Sequence, residues 1–108
     1  MGIKGSKHTQ EVALAAELFI EKLSSIEGVT SKKMFGGHGI FHDSKMFGIV
    51  DSKGNYFLKA DDALKAEFLE MGSEQHSRMP YYSVPGKVLE NHDSLMVLAQ
   101  KSIATIQK

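Results

Sequence analysis

His38 and His42 stand four residues apart on strand-like sequence, with Asp43 beside the second. Imidazoles with a neighbouring carboxylate are raw material for a metal site or for acid–base work. On an extended strand, residues four apart share a face but lie ~13 Å apart, so one metal would need a bend at Gly39 to collect both. His76 and His92 are distant in sequence and His8 lies in the polar lead-in. Structural metal sites use three or four ligands at recognised spacings, and none is present, so no metal is expected. The His38/His42 region is where an enzyme of unrecognised type or a small-molecule site would have to be.

Gly36-Gly37-His38-Gly39 is glycine-rich enough to cradle a phosphate. Such loops run from a strand into a helix N-terminus and are followed by Lys and Ser or Thr; this one joins two strands. A tight turn or bulge using glycine's free φ is the expected role, at Gly36 or Gly37. The pair Asp61-Asp62 reads as a helix cap compensating the helix dipole rather than as paired catalytic carboxylates. No Ser lies in a Gly-x-Ser-x-Gly elbow. No catalytic residue, enzymatic activity or cofactor is therefore expected.

Tyr81 and Tyr82 are adjacent in an extended segment bounded by Pro80 and Pro85, which also holds Val84. Neighbours on a strand point to opposite faces, so one Tyr is expected in the core and the other either on display as an interface anchor or packed over a helix edge. Lys32, Lys33, Lys45 and Lys59 lie on or beside strands, and Arg78 is the only arginine. Strand lysines either meet nucleic acid or an acidic partner protein, or discourage strand-to-strand aggregation, the commoner role. Tyr81, Tyr82, Val84, Arg78, Lys32, Lys33 and His38 are the candidate interaction residues.

The elements that must position these residues follow from pattern. The chain has 108 residues, 13 basic against 13 acidic, no cysteine and 42% apolar residues. Cysteine-based chemistry is excluded. Charge balance gives no basic excess for neutralising phosphates, so direct nucleic-acid binding is not expected. No apolar run approaches the ~20 residues of a membrane span, and no secretory leader is read, so a cytoplasmic protein is expected. Residues 1–9 read as a frayed lead-in and 10–108 as a single domain. Val12, Ala15, Ala16, Phe19, Leu23 and Ile26 recur at helical spacing, which predicts a helix over 10–26 capped by Thr9. After Gly28 the spacing predicts strands at 29–35, 39–42, 45–50 and 56–60 joined by short turns. A helix from Asp61-Asp62 to Gly72, an extended segment at 79–85 and a last helix capped by Asp93 or Ser94 complete the order. Each element has one apolar face, so the fold class is α+β: a two-layer sandwich of an antiparallel β-meander sheet with helices packed on one face.

The run Ser31-Lys32-Lys33-Met34-Phe35-Gly36-Gly37-His38-Gly39-Ile40-Phe41 resembles the signature of the TfoX N-terminal domain family of competence regulators: a basic residue, Met-Phe-Gly-Gly, an aromatic residue, Gly and an apolar pair. His38 stands where the family usually has Tyr or Phe. Met46 to Val50, Tyr56 to Asp61, Phe68 with Gly72, and Tyr81 to Pro85 resemble further family motifs in the same order. Met34, Phe35, Gly36, Gly37 and Gly39 are then the structural motif. The resemblance implies a regulatory or interaction module with a protein partner, a homodimer being one form of it. Relatives carry a longer strand-rich stretch before the Tyr-Tyr motif, where this chain has only Ser73 to Pro80. A short sheet edge with unpaired backbone groups is therefore expected beside Tyr81–Val84. Full-length competence regulators also carry a helical second domain, so this chain is expected to be a stand-alone version of the first.

Overall fold

The computed structural model describes residues 3–34 and 36–107, with side chains described from residue 13 onward. The elements are α1 (Ile3–Lys22), β1 (Val29–Met34), β2 (Gly37–His42), β3 (Lys45–Val50), β4 (Tyr56–Lys59), α2 (Asp62–Glu70), β5 (Tyr81–Ser83), α3 (Gly86–Glu90) and α4 (His92–Ile106). The five strands form one sheet in the order β1-β2-β3-β4-β5, every neighbour antiparallel. This is the expected α+β meander, and its turns are built by the expected residues. Asp43 and Ser44 both take positive φ, which suits the twist of a two-residue hairpin. The Asp51 carboxylate accepts from the backbone N–H groups of Lys53 and Asn55 and so closes the β3–β4 turn. Gly36 has φ +78°, as expected of a glycine at the tip of the β1–β2 hairpin. Phe35, beside it, lies outside the described residues.

Alternation puts Ile40, Leu58 and Tyr82 on one face of the sheet, where register makes them neighbours across β2, β4 and β5. All three are buried with Ala16, Phe19 and Leu23 of α1, Leu64 and Phe68 of α2, and Leu95, Leu98, Ala99 and Ile103 of α4. The register slips between Ile40 and Phe41: Ile40 faces Gly48 while Phe41 faces Met46. Phe47 is thus left unpaired in a bulge and packs in the same core, fully buried. Phe19 stacks on Tyr56 with centroids 4.5 Å apart, and the Tyr56 hydroxyl donates to the Ala15 carbonyl at 3.0 Å. Ser102 is the polar pin of the last helix: its buried hydroxyl lies 2.7 Å from the Lys59 carbonyl and 3.2 Å from that of Phe47.

Three expectations about elements are corrected. The first helix begins at Ile3, so Thr9 lies inside it rather than at its cap. The last helix is capped by Asn91, whose side chain accepts from the Ser94 N–H, and not by Asp93 or Ser94. A five-residue helix, α3, follows Pro85 and is too short to show a periodicity.

Candidate functional site

The two edges of the sheet differ, and the difference is set by the Ser73–Pro80 connection. Rather than leaving β5 bare, this segment folds back along it. Ser83 N–H donates to the Glu74 carbonyl and His76 N–H to the Tyr81 carbonyl, both at 2.8 Å. Gln75 forms a bridge with Tyr82, and the Glu74 N–H donates to the Ser83 hydroxyl. The expectation of an open edge beside Tyr81–Val84 is therefore corrected: the short connection supplies the missing partner itself.

The open edge is β1. Its neighbour on one side is β2, and no described strand lies on the other. The pair Met34 and Gly37 closes a two-residue connection, and the Asp43 N–H donates to the Gly28 carbonyl one step beyond the pair Val29 and His42. Both facts make the even-numbered residues of β1 the hydrogen-bonded positions toward β2. The N–H and C=O groups of Val29, Ser31 and Lys33 accordingly point outward. Thr30, Ser31, Lys32 and Lys33 are exposed, and neither lysine makes an ion pair among the described residues. Alternation sends Lys32 to the outer face of the sheet, away from the helices, and Lys33 to the other.

The outer face carries an apolar patch between polar positions at Thr30, Lys32, Lys59 and Ser83. Its positions include Met34, Gly39, Phe41, Met46, Ile49, Phe57 and Tyr81 by register. A Cβ on Gly39 would fall 2.7 Å from the Met34 sulfur, 2.8 Å from the Met46 sulfur and 2.9 Å from the Phe41 ring, so the two thioethers lean into the space that this glycine leaves. A side chain on Gly37 would strike the Val50 carbonyl, so the signature's second glycine permits close approach of β2 to the end of β3. Near these residues is a concavity of about 360 Å3 lined by Met34, Met46, Ile49, His38 and, from the Ser73–Pro80 connection, His76 and Met79. The His76 ring meets Phe57 edge-on at 4.7 Å. Among the described residues, Nδ1 of His38 and of His76 is buried without a hydrogen bond.

Burial corrects the reading of the tyrosine pair. The two do point to opposite faces, but neither is displayed: Tyr81 is 4% exposed and Tyr82 2%. Tyr82 stacks on Phe68 in the core. Tyr81 lies on the outer face with its hydroxyl 3.4 Å from the Met46 carbonyl. Burial raises the pKa of Tyr81, and likewise that of Tyr56. Val84 is buried too, while Arg78 is exposed on the connection. Of the candidate interaction residues, then, only Lys32, Lys33 and Arg78 are fully available, and His38 is half-buried.

Among the described residues, the histidine, metal and serine arrangements weighed from the sequence are not brought together. His38 and His42 sit near opposite ends of β2, and among the described residues the ion-pair partner of His42 is Asp43, at 3.7 Å. Among the described residues no group of three His, Cys, Asp or Glu is placed to hold a metal. A polar cleft of about 480 Å3 gathers Glu74, His76, Ser77 and Ser83. There the Ser83 hydroxyl accepts from the Glu74 backbone, and the His76 ring rests on Phe57, so no base is hydrogen-bonded to a nucleophile. No described helix is long and apolar enough to cross a membrane.

The family model for the TfoX N-terminal domain matches residues 21–106, nearly the whole chain. The chain belongs to the TfoX N-terminal domain family. The match covers the Met-Phe-Gly-Gly signature, whose glycines have the structural work described above, and extends through α4. No curated protein matches the sequence.

Proposed function

We propose that this TfoX-family domain is a non-catalytic regulatory module that takes an extended, acidic segment of a partner protein as a sixth strand on β1. The observation that carries this reading is the contrast of edges. One edge is closed by the chain's own Glu74–His76, and the other presents outward backbone groups at Val29, Ser31 and Lys33. Strand addition draws its affinity from such backbone groups and its selectivity from the side chains beside them. Lys32 and Lys33 put one unpaired positive charge on each face of the docking strand and so favour an acidic segment over a basic one. They also disfavour a homodimer through this edge, because two copies would bring four lysines together.

Fluorescence anisotropy with a β-prone peptide carrying two adjacent glutamates tests the reading. The wild-type chain is expected to bind it, and binding should weaken as salt is raised. Ser31→Pro removes one outward N–H while sparing the bonds to β2, a position where edge strands tolerate proline. That variant should fold normally and bind the peptide ~10-fold more weakly or worse. A glutamate peptide that fails to bind, or binds Ser31→Pro equally well, would refute strand addition.

A further inference from the structure

The geometry points to a second recognition element: the concavity between Met34, Met46, Ile49 and Met79 receives one large apolar side chain of the docked segment. This rests on the strand-addition reading and adds the partner's sequence pattern to it. Lys32 and Met34 are two apart on β1 and share the outer face, while Lys33 between them faces the other side. A residue paired with Met34 therefore points to the same side as one paired with Lys32. Next to Met34 on the outer face, the Met34 and Met46 thioethers fill the space over Gly39, and the concavity of about 360 Å3 opens beside them, along Gly37, Ile49 and Met79. That volume sits at the small end of ligand-sized pockets and suits a single aromatic or long aliphatic group.

The lining is built to accept such a group. Three of the walls are methionines, unbranched and polarizable, which reshape around an incoming side chain and make favourable contacts with aromatic rings. Met79 is 38% exposed at the rim, held by a connection that is itself fastened to β5. The charges are arranged to match. Lys32 and Lys33 precede Met34 along the edge, so carboxylates on the partner fall opposite the lysines and the apolar residue falls opposite Met34. The bound segment is then acidic, acidic, large apolar when it runs parallel to β1, and the reverse order when it runs antiparallel.

The test compares labelled peptides of both orders carrying two glutamates and either phenylalanine or serine at the third position, bound to the full chain. The phenylalanine peptide of one order is expected to bind ~10-fold or more tightly than its serine counterpart, as burial of a large side chain in a pocket commonly gives. Met79→Gln replaces the thioether at the rim by a neutral amide, adding no charge beside the acidic peptide, and should shrink the difference between the phenylalanine and serine peptides. Equal binding of phenylalanine and serine peptides, both sensitive to Ser31→Pro, would overturn the pocket and leave strand addition standing. Failure of every peptide to bind would overturn both.

Discussion

Both faces of the sheet carry apolar side chains, yet one is closed by helices and the other is left partly open. Toward the helices, the core is made of branched and aromatic side chains, Phe19, Leu23, Ile40, Phe47, Val50, Leu58 and Phe68, all fully buried. Away from the helices, Phe41, Ile49, Phe57 and Tyr81 are joined by Met46 and Gly39 on the central strands, by Met34 on β1 and by Met79 on the connection. Stiff, well-defined side chains specify one packing, whereas thioethers and a missing Cβ leave a surface that adapts. The first face holds the fold; the second leaves a hollow near an open edge.

The largest expected effect lies on the helix side. Phe19→Ala removes a fully buried ring that stacks on Tyr56, and should cost ~3–5 kcal/mol in denaturant unfolding. Met79→Ala on the other face, already 38% exposed, should cost less than about 1 kcal/mol. Comparable losses at the two sites would show that the methionine face is as much a part of the core as the helix face.

Two glycines sharpen the comparison within the outer face itself. At Gly37 an added Cβ meets the Val50 carbonyl, a backbone atom fixed by the β3 ladder, so Gly37→Ala should destabilise by ~1–3 kcal/mol or more. At Gly39 the obstacles are two methionine sulfurs and a ring edge, flexible ends that can swing away, so Gly39→Ala should cost under about 1 kcal/mol. Thermal unfolding of the two variants decides it, and an equal or greater loss at Gly39 would mean that the thioethers are locked.

Alkaline titration gives a smaller effect, also from the outer face. Burial raises the pKa of Tyr81 above its ordinary 10.0, whereas the unfolded chain ionises at the ordinary value. The stability associated with keeping this phenol neutral is therefore complete below pH 10 and is lost as pH rises through the folded pKa. Tyr56 behaves in the same direction. Melting temperature should fall above about pH 10, and Tyr81→Phe should flatten part of that fall. An unchanged alkaline profile in Tyr81→Phe would place the phenol in contact with water.

The faces and edges were unequally legible in the sequence. Period-two and helical spacing expose the meander and the three longer helices, because alternation and the Gly28, Gly54 and Gly72 breaks are local properties. The opposite orientation of Tyr81 and Tyr82 is legible for the same reason. The burial of Tyr81 is not, because it depends on what covers the outer face, and there the relevant segment, Ser73 to Pro80, has no period at all. The same irregular segment closes the β5 edge through backbone groups, which composition does not reveal. Lys32 and Lys33 stood out as charges on a strand that the meander already puts at an edge; that the opposite edge is shut, which sets β1 apart, follows only from the fold. Met46 and Met79 gave no signal as a pair, since they lie 33 positions apart in the chain and line one concavity only through the fold.

The smallest effect on stability, and the sharpest on behaviour, is expected at the edge. Lys32→Thr with Lys33→Thr replaces two exposed side chains by a residue favoured in strands, so unfolding free energy should change by no more than about 0.5 kcal/mol. Association should change far more. An edge strand without charge is a template for a second copy, and the outward groups of Val29, Ser31 and Lys33 are already aligned for it. Sedimentation velocity across concentration should show the double variant moving toward larger species while the wild type keeps one sedimentation coefficient. Adding Ser31→Pro to the double variant should restore the wild-type profile, because the outward N–H at the middle of the strand is then missing. A double variant that stays monomeric at every concentration would indicate that β1 is not a competent docking strand, and strand addition of any partner would lose its footing with it.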